Sequence, residues 1–98
     1  FCPLGPWIVT HLGLDEAADL ELTTTLNGEL RQQGNTSQME RRIAELVAYI
    51  TSYTTLLPGD VILTGTPAGV ATMVPGDEVS VTIAGIGTLT NPVVGPED

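Results

Sequence analysis

The segment of the sequence best suited to chemistry is the run Thr64-Gly65-Thr66-Pro67, which follows the continuously apolar residues 61–63. A short apolar run is typical of a strand that is buried on both faces. At the end of such a strand, glycine lets another group approach the backbone, and threonine hydroxyls can donate to a carboxylate or enolate oxygen. The run is therefore predicted to be an anion-binding loop or, as the simpler alternative, an ordinary turn.

The sequence shows no complete catalytic set beside this loop. His11 is the single histidine, and no pattern connects it to a serine, as Ser-His-acid catalysis would require. Asp15, Glu16 and Asp19 follow His11 at a spacing that matches no common metal motif, so solvated loop charges are the favoured interpretation. The catalytic residues stay unknown at this point, and the chain is expected to hold no strong metal site of its own.

A β-hairpin is predicted around the Asn27-Gly28 turn. Leucines alternate with polar residues over positions 20–26, which is the period-two pattern of a half-buried strand. Asn-Gly favours a type I′ turn, so residues 29–33 are predicted to return as the antiparallel partner. That pairing sets Thr25 opposite Leu30, and the apolar faces of the two strands then do not match cleanly.

One amphipathic helix is predicted after the hairpin. Ser37 and Glu40 form a capping pattern, so the helix is expected to begin at residue 37. It should continue to about Tyr53 along one apolar stripe, made of Met39, Ile43, Leu46, Val47 and Ile50.

Two Pro-Gly-Asp turns are predicted to start the remaining strands. Pro58-Gly59-Asp60 precedes the apolar residues 61–63, and Pro75-Gly76-Asp77 precedes an alternating strand over residues 79–83 that should have one wet face. The other expected elements are a short strand over residues 7–10, a last strand over 88–94 that Pro92 breaks, and an unstructured end over 95–98. The fold class is mainly β with one helix.

Charge and cysteine content limit the partners and the compartment. Three basic residues against twelve acidic ones give a formal net charge of −9. Nucleic acids and anionic membranes both require clustered Lys and Arg, so neither is expected as a partner. Cys2 is the single cysteine, which favours a reducing cytoplasm over a disulfide scaffold. The sequence has no run of about eighteen apolar residues that could span a bilayer.

Four short motifs, in order and at similar spacing, resemble the C-terminal part of fumarylacetoacetate hydrolase-family proteins. They are Cys2-Pro3-Leu4-Gly5-Pro6-Trp7, the Asn27-Gly28-Glu29 hairpin with the later Asn35-Thr36-Ser37-Gln38-Met39, residues 58–70, and residues 85–93. The resemblance covers nearly the whole chain. Residues 1–98 are therefore interpreted as the C-terminal part of one catalytic domain, and a segment before Phe1 is expected.

The resemblance implies a β-rich, usually homodimeric enzyme in which Mg²⁺ or Mn²⁺ holds the keto-acid end of a small dicarbonyl or enol acid. The sequences of the motifs are similar to those of bacterial isomerases of aromatic catabolism, which act on 2-hydroxyhepta-2,4-diene-1,7-dioate or 5-carboxymethyl-2-hydroxymuconate. They are also similar to those of acylpyruvate hydrolases. The resemblance implies that the metal ligands, two glutamates and an aspartate, and the active-site lysine lie upstream of residue 1.

Within this chain, the resemblance implies a substrate-binding role for Thr66 and for the adjacent Gly65. It also implies that Pro6 and Trp7 form a structural turn beside the site. The alternative from another class is a noncatalytic binding or assembly module, for instance a degenerate copy in a duplicated protein.

Overall fold

The computed structural model describes residues 1–96, and its centre is a four-stranded antiparallel sheet with strand order β2-β1-β3-β4. The strands are β1 (Glu21–Leu26), β2 (Glu29–Asn35), β3 (Glu78–Ile83) and β4 (Gly87–Pro92). The helices are α1 (Leu14–Ala17) and α2 (Ile43–Thr51), with a 3₁₀ turn at Thr36–Gln38. A mainly β fold with one amphipathic helix is therefore confirmed. No helix within residues 1–96 is long and apolar enough to cross a membrane.

The β1–β2 hairpin has the predicted turn and the predicted first pairs. Asn27 and Gly28 both have positive φ, 52° and 79°, as a type I′ turn requires. Thr25 pairs with Leu30, but Thr24 pairs with Gln32, so one extra residue of β2 forms a β-bulge. The bulge does not remove the mismatch of faces that the sequence indicated, because Leu30 stays opposite Thr25; it places Gln32, opposite Thr24, on the same side of the sheet as Leu22 and Leu26.

The two faces of the sheet differ sharply in chemistry. Strand alternation and register place an apolar set on one face, which consists of Leu22, Leu26, Val79, Val81, Ile83 and Leu89. The other face carries hydroxyls, and these pair across β3 and β4 at 2.8 Å, Ser80 with Thr90 and Thr82 with Thr88. Within residues 1–96, Leu26 is the one buried hydrophobic side chain, at 7% exposure. The sheet is therefore well paired but has little covered core.

The predicted start of the helix at residue 37 is wrong. The side chain of Asn35 accepts a hydrogen bond from the Ser37 backbone N–H at 2.8 Å, and the side chain of Gln38 accepts from the Asn35 N–H at 2.9 Å. This capping box closes the short 3₁₀ turn, and Met39 then adopts an extended conformation that stops it. A capping pattern lay close to the predicted one, but α2 begins only at Ile43.

Two predicted strands do not form. Residues 61–63 pair with no strand of the sheet, and Val61 and Leu63 are 56% and 74% exposed. Residues 7–10 also have no strand, and Trp7 is 63% exposed. An apolar run expresses a tendency towards burial, but a strand also needs a neighbour for its backbone N–H and C=O groups. The last strand, predicted over residues 88–94, forms as β4 and ends at Pro92. Gly95 and Pro96 have no regular structure, and residues 97 and 98 lie outside the described residues.

The first Pro-Gly-Asp turn has the predicted geometry. The N–H of Asp60 donates to the carbonyl of Leu57 at 3.0 Å, and the N–H of Leu57 donates to the Asp60 carboxylate at 2.8 Å. Gly59 has a φ of 94°, which a type II turn needs at that position and which glycine adopts without steric cost. The turn is closed entirely by its own residues.

The second Pro-Gly-Asp turn has the same internal bonds and several more. Val74 and Asp77 exchange hydrogen bonds at 3.1 Å and 2.9 Å, as their counterparts do in the first turn. In addition, the Asn27 side chain donates to Asp77 at 2.9 Å and accepts from the Glu78 N–H at 2.8 Å. The N–H of Val74 and then the amide of Asn27 hold the pKa of Asp77 below its usual value, although burial opposes them.

Candidate functional site

The predicted loop is fastened to β2 by one side chain. The amide nitrogen of Gln32 donates to the hydroxyl oxygen of Thr66 and to the carbonyl oxygen of Pro67, each at 2.8 Å. Gln32 is half-buried, whereas Thr66 is exposed. Gln32 of β2 thus bonds both the loop backbone at Pro67 and the Thr66 hydroxyl, the group predicted from the sequence to bind substrate.

Two glycines bring the loop and the strand into direct contact. Gly69 has a φ of 109°, and a methyl group there would overlap the carbonyl oxygen of the bulge residue Arg31. Gly34 of β2 leaves space for the Pro67 ring, which would lie 3.2 Å from an added Cβ. Because both contacts require the absence of a side chain, the loop approaches β2 more closely than larger residues would allow.

The two residues predicted to bind substrate lie together on the exposed side of this loop. Gly65 has a φ of 98°, and no atom of another part of the chain lies within 4 Å of a Cβ built there. Thr66 and Thr64 are both exposed. The loop therefore offers an exposed threonine, bonded to Gln32, beside a glycine with open space around it.

A largely apolar cleft of about 200 Å³ adjoins the loop. Its walls come from Gln32 and Arg31 of β2, from the apolar sheet face at Leu26, and from Val70 and Met73 after the loop. Neither Thr66 nor Gly65 lines it, so the predicted binding residues stand outside the cleft rather than in its floor. Gln32 belongs to both the cleft and the loop contact.

The remaining predicted features lie elsewhere. Pro6 and Trp7 pack against Gly87 at the β4 edge, the opposite end of the sheet from the loop on β2. His11 is exposed, and Asp19 accepts a hydrogen bond from Asn35 at 3.0 Å. These residues are not brought to Thr66.

The acidic side chains do not form a metal centre. Among the residues that the structure describes, no three His, Cys, Asp or Glu side chains come close enough together to hold an ion. A divalent cation requires several convergent oxygen or nitrogen ligands. The described part of this chain therefore does not fit the metal that the resemblance implies.

Sequence reasoning missed Gln32 and Gly69, which connect the loop to the sheet. Gln32 reaches the loop because the bulge sets Arg31 and Gln32 on the same face, as their shared lining of the cleft shows. The residue types of β2 did not indicate the bulge. No local signal in the sequence indicated that Gly69 would meet Arg31, which lies thirty-eight positions earlier.

Comparison with known families gives one match along nearly the whole chain. A family model described as fumarylacetoacetate (FAA) hydrolase C-terminal matches residues 1–94. The bifunctional isomerase/decarboxylase of 4-hydroxyphenylacetate degradation from Salmonella dublin is 46% identical over 95 residues, which are 97% of this chain and 22% of that protein.

Solved structures give the same relationship. The 5-carboxymethyl-2-hydroxymuconate delta-isomerase of Mycobacterium smegmatis superimposes with a TM-score of 0.92 at 55% identity, covering 99% of this chain and 38% of that one. Maleylpyruvate hydrolase of Sphingobium sp. SYK-6, in complex with manganese(II) and pyruvate, superimposes with a TM-score of 0.90 at 39% identity, covering 96% and 36%. The chain spans about a third of the length of the curated relatives it matches.

Proposed function

The chain belongs to the fumarylacetoacetate hydrolase family, and from that premise we propose that residues 1–98 form the C-terminal part of a single catalytic domain. The substrates of the whole enzyme are small 2-oxo or 2-hydroxydienoic acids. The observation that carries the proposal is the exposed loop at Thr66, whose hydroxyl oxygen accepts a hydrogen bond from Gln32 of β2 and whose hydroxyl proton remains available to a ligand.

The proposed reaction is isomerisation or decarboxylation in aromatic catabolism. The isomerase/decarboxylase and the isomerase named above are 46% and 55% identical to this chain, whereas the maleylpyruvate hydrolase is 39% identical. Hydrolytic C–C cleavage of an acylpyruvate is the second candidate, which the high structural similarity to that hydrolase supports.

The proposed enzyme uses Mg²⁺ or Mn²⁺, with ligands outside the residues described here. The manganese and pyruvate in the related hydrolase support a divalent cation. The contribution of residues 1–96 is different, since their acidic side chains do not converge. The proposal also includes a cytoplasmic location, in keeping with a single cysteine, and the homodimer that the family resemblance implies.

The proposed role of Thr66 is to bind the acidic end of the substrate. A hydroxyl donates to a carboxylate or enolate oxygen, and a hydrogen bond to a charged group stabilises a complex by about 1.5–3 kcal/mol. Gly65 lets the substrate approach the backbone beside that hydroxyl, because no side chain stands in the way.

The test is Thr66→Val in the full-length protein, a change that keeps the shape of the side chain and removes the donor. We expect kcat/KM on a 2-hydroxydienoate or acylpyruvate to fall about ten- to a hundredfold, while affinity for Mn²⁺ barely changes. Thr64→Val is the control, and a weaker effect there is compatible with the proposal because Thr64 lies on the same loop.

Unchanged kcat/KM in a folded Thr66→Val enzyme would remove Thr66 from the site. A full-length wild-type protein that folds, yet turns over neither substrate class with Mg²⁺ or Mn²⁺, would instead favour the noncatalytic assembly module.

A further inference from the structure

The orientation of the Gln32 amide is fixed by its contact with Pro67. A backbone carbonyl has no proton and can only accept a hydrogen bond. Because the Pro67 carbonyl oxygen lies 2.8 Å from the Gln32 amide group, the atom facing it must be the NH₂ nitrogen rather than the oxygen. The alternative orientation would bring two acceptors together.

This orientation determines what the Thr66 hydroxyl can do. The same Gln32 nitrogen lies 2.8 Å from the Thr66 hydroxyl oxygen, and its second N–H points there. The hydroxyl oxygen is therefore an acceptor from Gln32, and its own single proton must be donated in another direction. Thr66 is an exposed residue, so the proton is available to solvent or to a ligand rather than to the Gln32 amide.

We propose that Gln32 is a positioning residue that commits the Thr66 hydroxyl to donate to an anionic oxygen of the substrate. This inference rests on the proposed function, since it specifies how the same loop recognises its ligand. The site should prefer a ligand atom that only accepts hydrogen bonds, such as a carboxylate or enolate oxygen. A ligand that presents an N–H at that point would meet a second donor and would bind less well.

The strand geometry explains why Gln32 can serve in this way. The β-bulge at Arg31 brings Gln32 onto the loop side of the sheet, and the absence of a side chain at Gly69 lets the loop approach it. Gln33, the next residue, pairs with Thr23 and lies on the opposite face. It therefore provides a matched control with the same side chain and no loop contact.

The experiment measures competitive inhibition by pyruvate in the full-length protein with Mn²⁺, using Gln32→Met and Gln33→Met in wild-type and Thr66→Val backgrounds. Methionine has a similar length and donates no proton. Gln32→Met should weaken inhibition by pyruvate about tenfold when Thr66 is present and should have little further effect in Thr66→Val. Gln33→Met should match its parent in both backgrounds.

A second variant separates positioning from packing. In Gln32→Glu, the carboxylate accepts rather than donates, so it draws the Thr66 proton towards the strand. Inhibition by pyruvate should weaken more than in Gln32→Met, while inhibition by pyruvamide should weaken less. Repulsion between the new carboxylate and pyruvate, or a purely structural role of Gln32, would act equally in the Thr66→Val background. Only a change in the ratio of the two affinities that depends on Thr66 therefore indicates positioning.

Each result leads to a definite conclusion. If Thr66→Val alone leaves pyruvate inhibition unchanged, the proposed substrate site is wrong and the role of Gln32 is wrong with it. If Thr66→Val weakens inhibition but the effect of Gln32→Met is independent of Thr66, only the positioning role is wrong. If neither Gln32 variant folds while Thr66→Val does, Gln32 is a structural residue and the proposal is overturned.

Discussion

The two Pro-Gly-Asp turns have nearly the same internal geometry but lead into different structures. In each, the aspartate N–H and carboxylate bond the residue three positions earlier, and the glycine has a φ of 94° or 98°. The turn at Asp77 leads into β3, which pairs with two other strands. The turn at Asp60 leads into exposed, unpaired chain.

The difference lies in contacts from distant parts of the sequence. Asn27 bonds both Asp77 and Glu78, and the backbone of Val93 exchanges hydrogen bonds with Gly76 and Asp77 at 2.9 Å and 2.8 Å. Asp60 has only the bonds of its own turn among those that the structure describes. Turn chemistry therefore reverses the chain, but partners from elsewhere decide whether a strand follows.

The strongest way to break the comparison is to remove Asn27, which supplies the distant contacts of the second turn. Asn27→Ala loses two side-chain hydrogen bonds and puts alanine, which tolerates the left-handed region less well than asparagine, at a φ of 52°, so the sheet should lose about 2–3 kcal/mol of stability. Protection of the β3 amides in hydrogen exchange should fall accordingly.

Asn27→Gly is the matched control, because it keeps the positive φ and removes only the side-chain bonds. It should be less destabilising than Asn27→Ala. Equal losses of stability in the two variants would show that the cost of the left-handed conformation is the same for alanine and glycine. No loss of stability in either variant would contradict the role of Asn27.

A smaller effect is expected from the turn glycines. Gly76→Ala and Gly59→Ala each force alanine into a left-handed φ with open space around the new methyl group, a cost of about 1 kcal/mol. Because only the second turn is tied into the sheet, Gly76→Ala should lower the protection of β3 and β4, whereas Gly59→Ala should affect only local exchange. Equal loss of sheet protection in the two variants would contradict the difference drawn here.

The smallest effect concerns pH. The hydrogen bonds from Val74 and Asn27 lower the pKa of Asp77 in the folded protein. A lowered pKa contributes stability above the ordinary aspartate value of about 3.9, and the contribution is lost as pH falls through the folded value. Asp77→Asn should therefore lower the melting temperature at neutral pH, and its difference from wild type should shrink as the pH falls below the ordinary aspartate value and through the lowered pKa of Asp77. A difference that persists unchanged in acid would exclude this carboxylate as its source.

The parts of the fold that depend on residues close together in the sequence were predicted well. The Asn27-Gly28 turn, its first pairs, both Pro-Gly-Asp turns and the alternating strand β3 follow from local chemistry. The errors concern residues 61–63 and 7–10, where an apolar pattern was taken for a strand without knowledge of a partner. The start of α2 was misplaced because the Ser37 and Glu40 pattern was taken for a cap, whereas Met39 is extended and α2 begins at Ile43 without a side-chain cap.

The candidate site was predicted only in part, because residue types can be read locally but contacts between distant segments cannot. Thr66 and Gly65 could be selected by residue type, but their substrate-binding role remains a prediction. The contact from Gln32 could not be derived, because it depends on a bulge and on an approach between segments thirty-four residues apart.

The bulge at Arg31 also affects how this hairpin can change in length during evolution. Leu30 pairs with Thr25 and Gln32 pairs with Thr24, so Arg31 is the residue without a partner in the ladder. Deleting Arg31 would restore a regular ladder and leave Gln32 on the side that faces Thr66. A one-residue deletion should therefore survive selection more readily at the bulge than elsewhere in β2, where it would turn the later side chains to the other face.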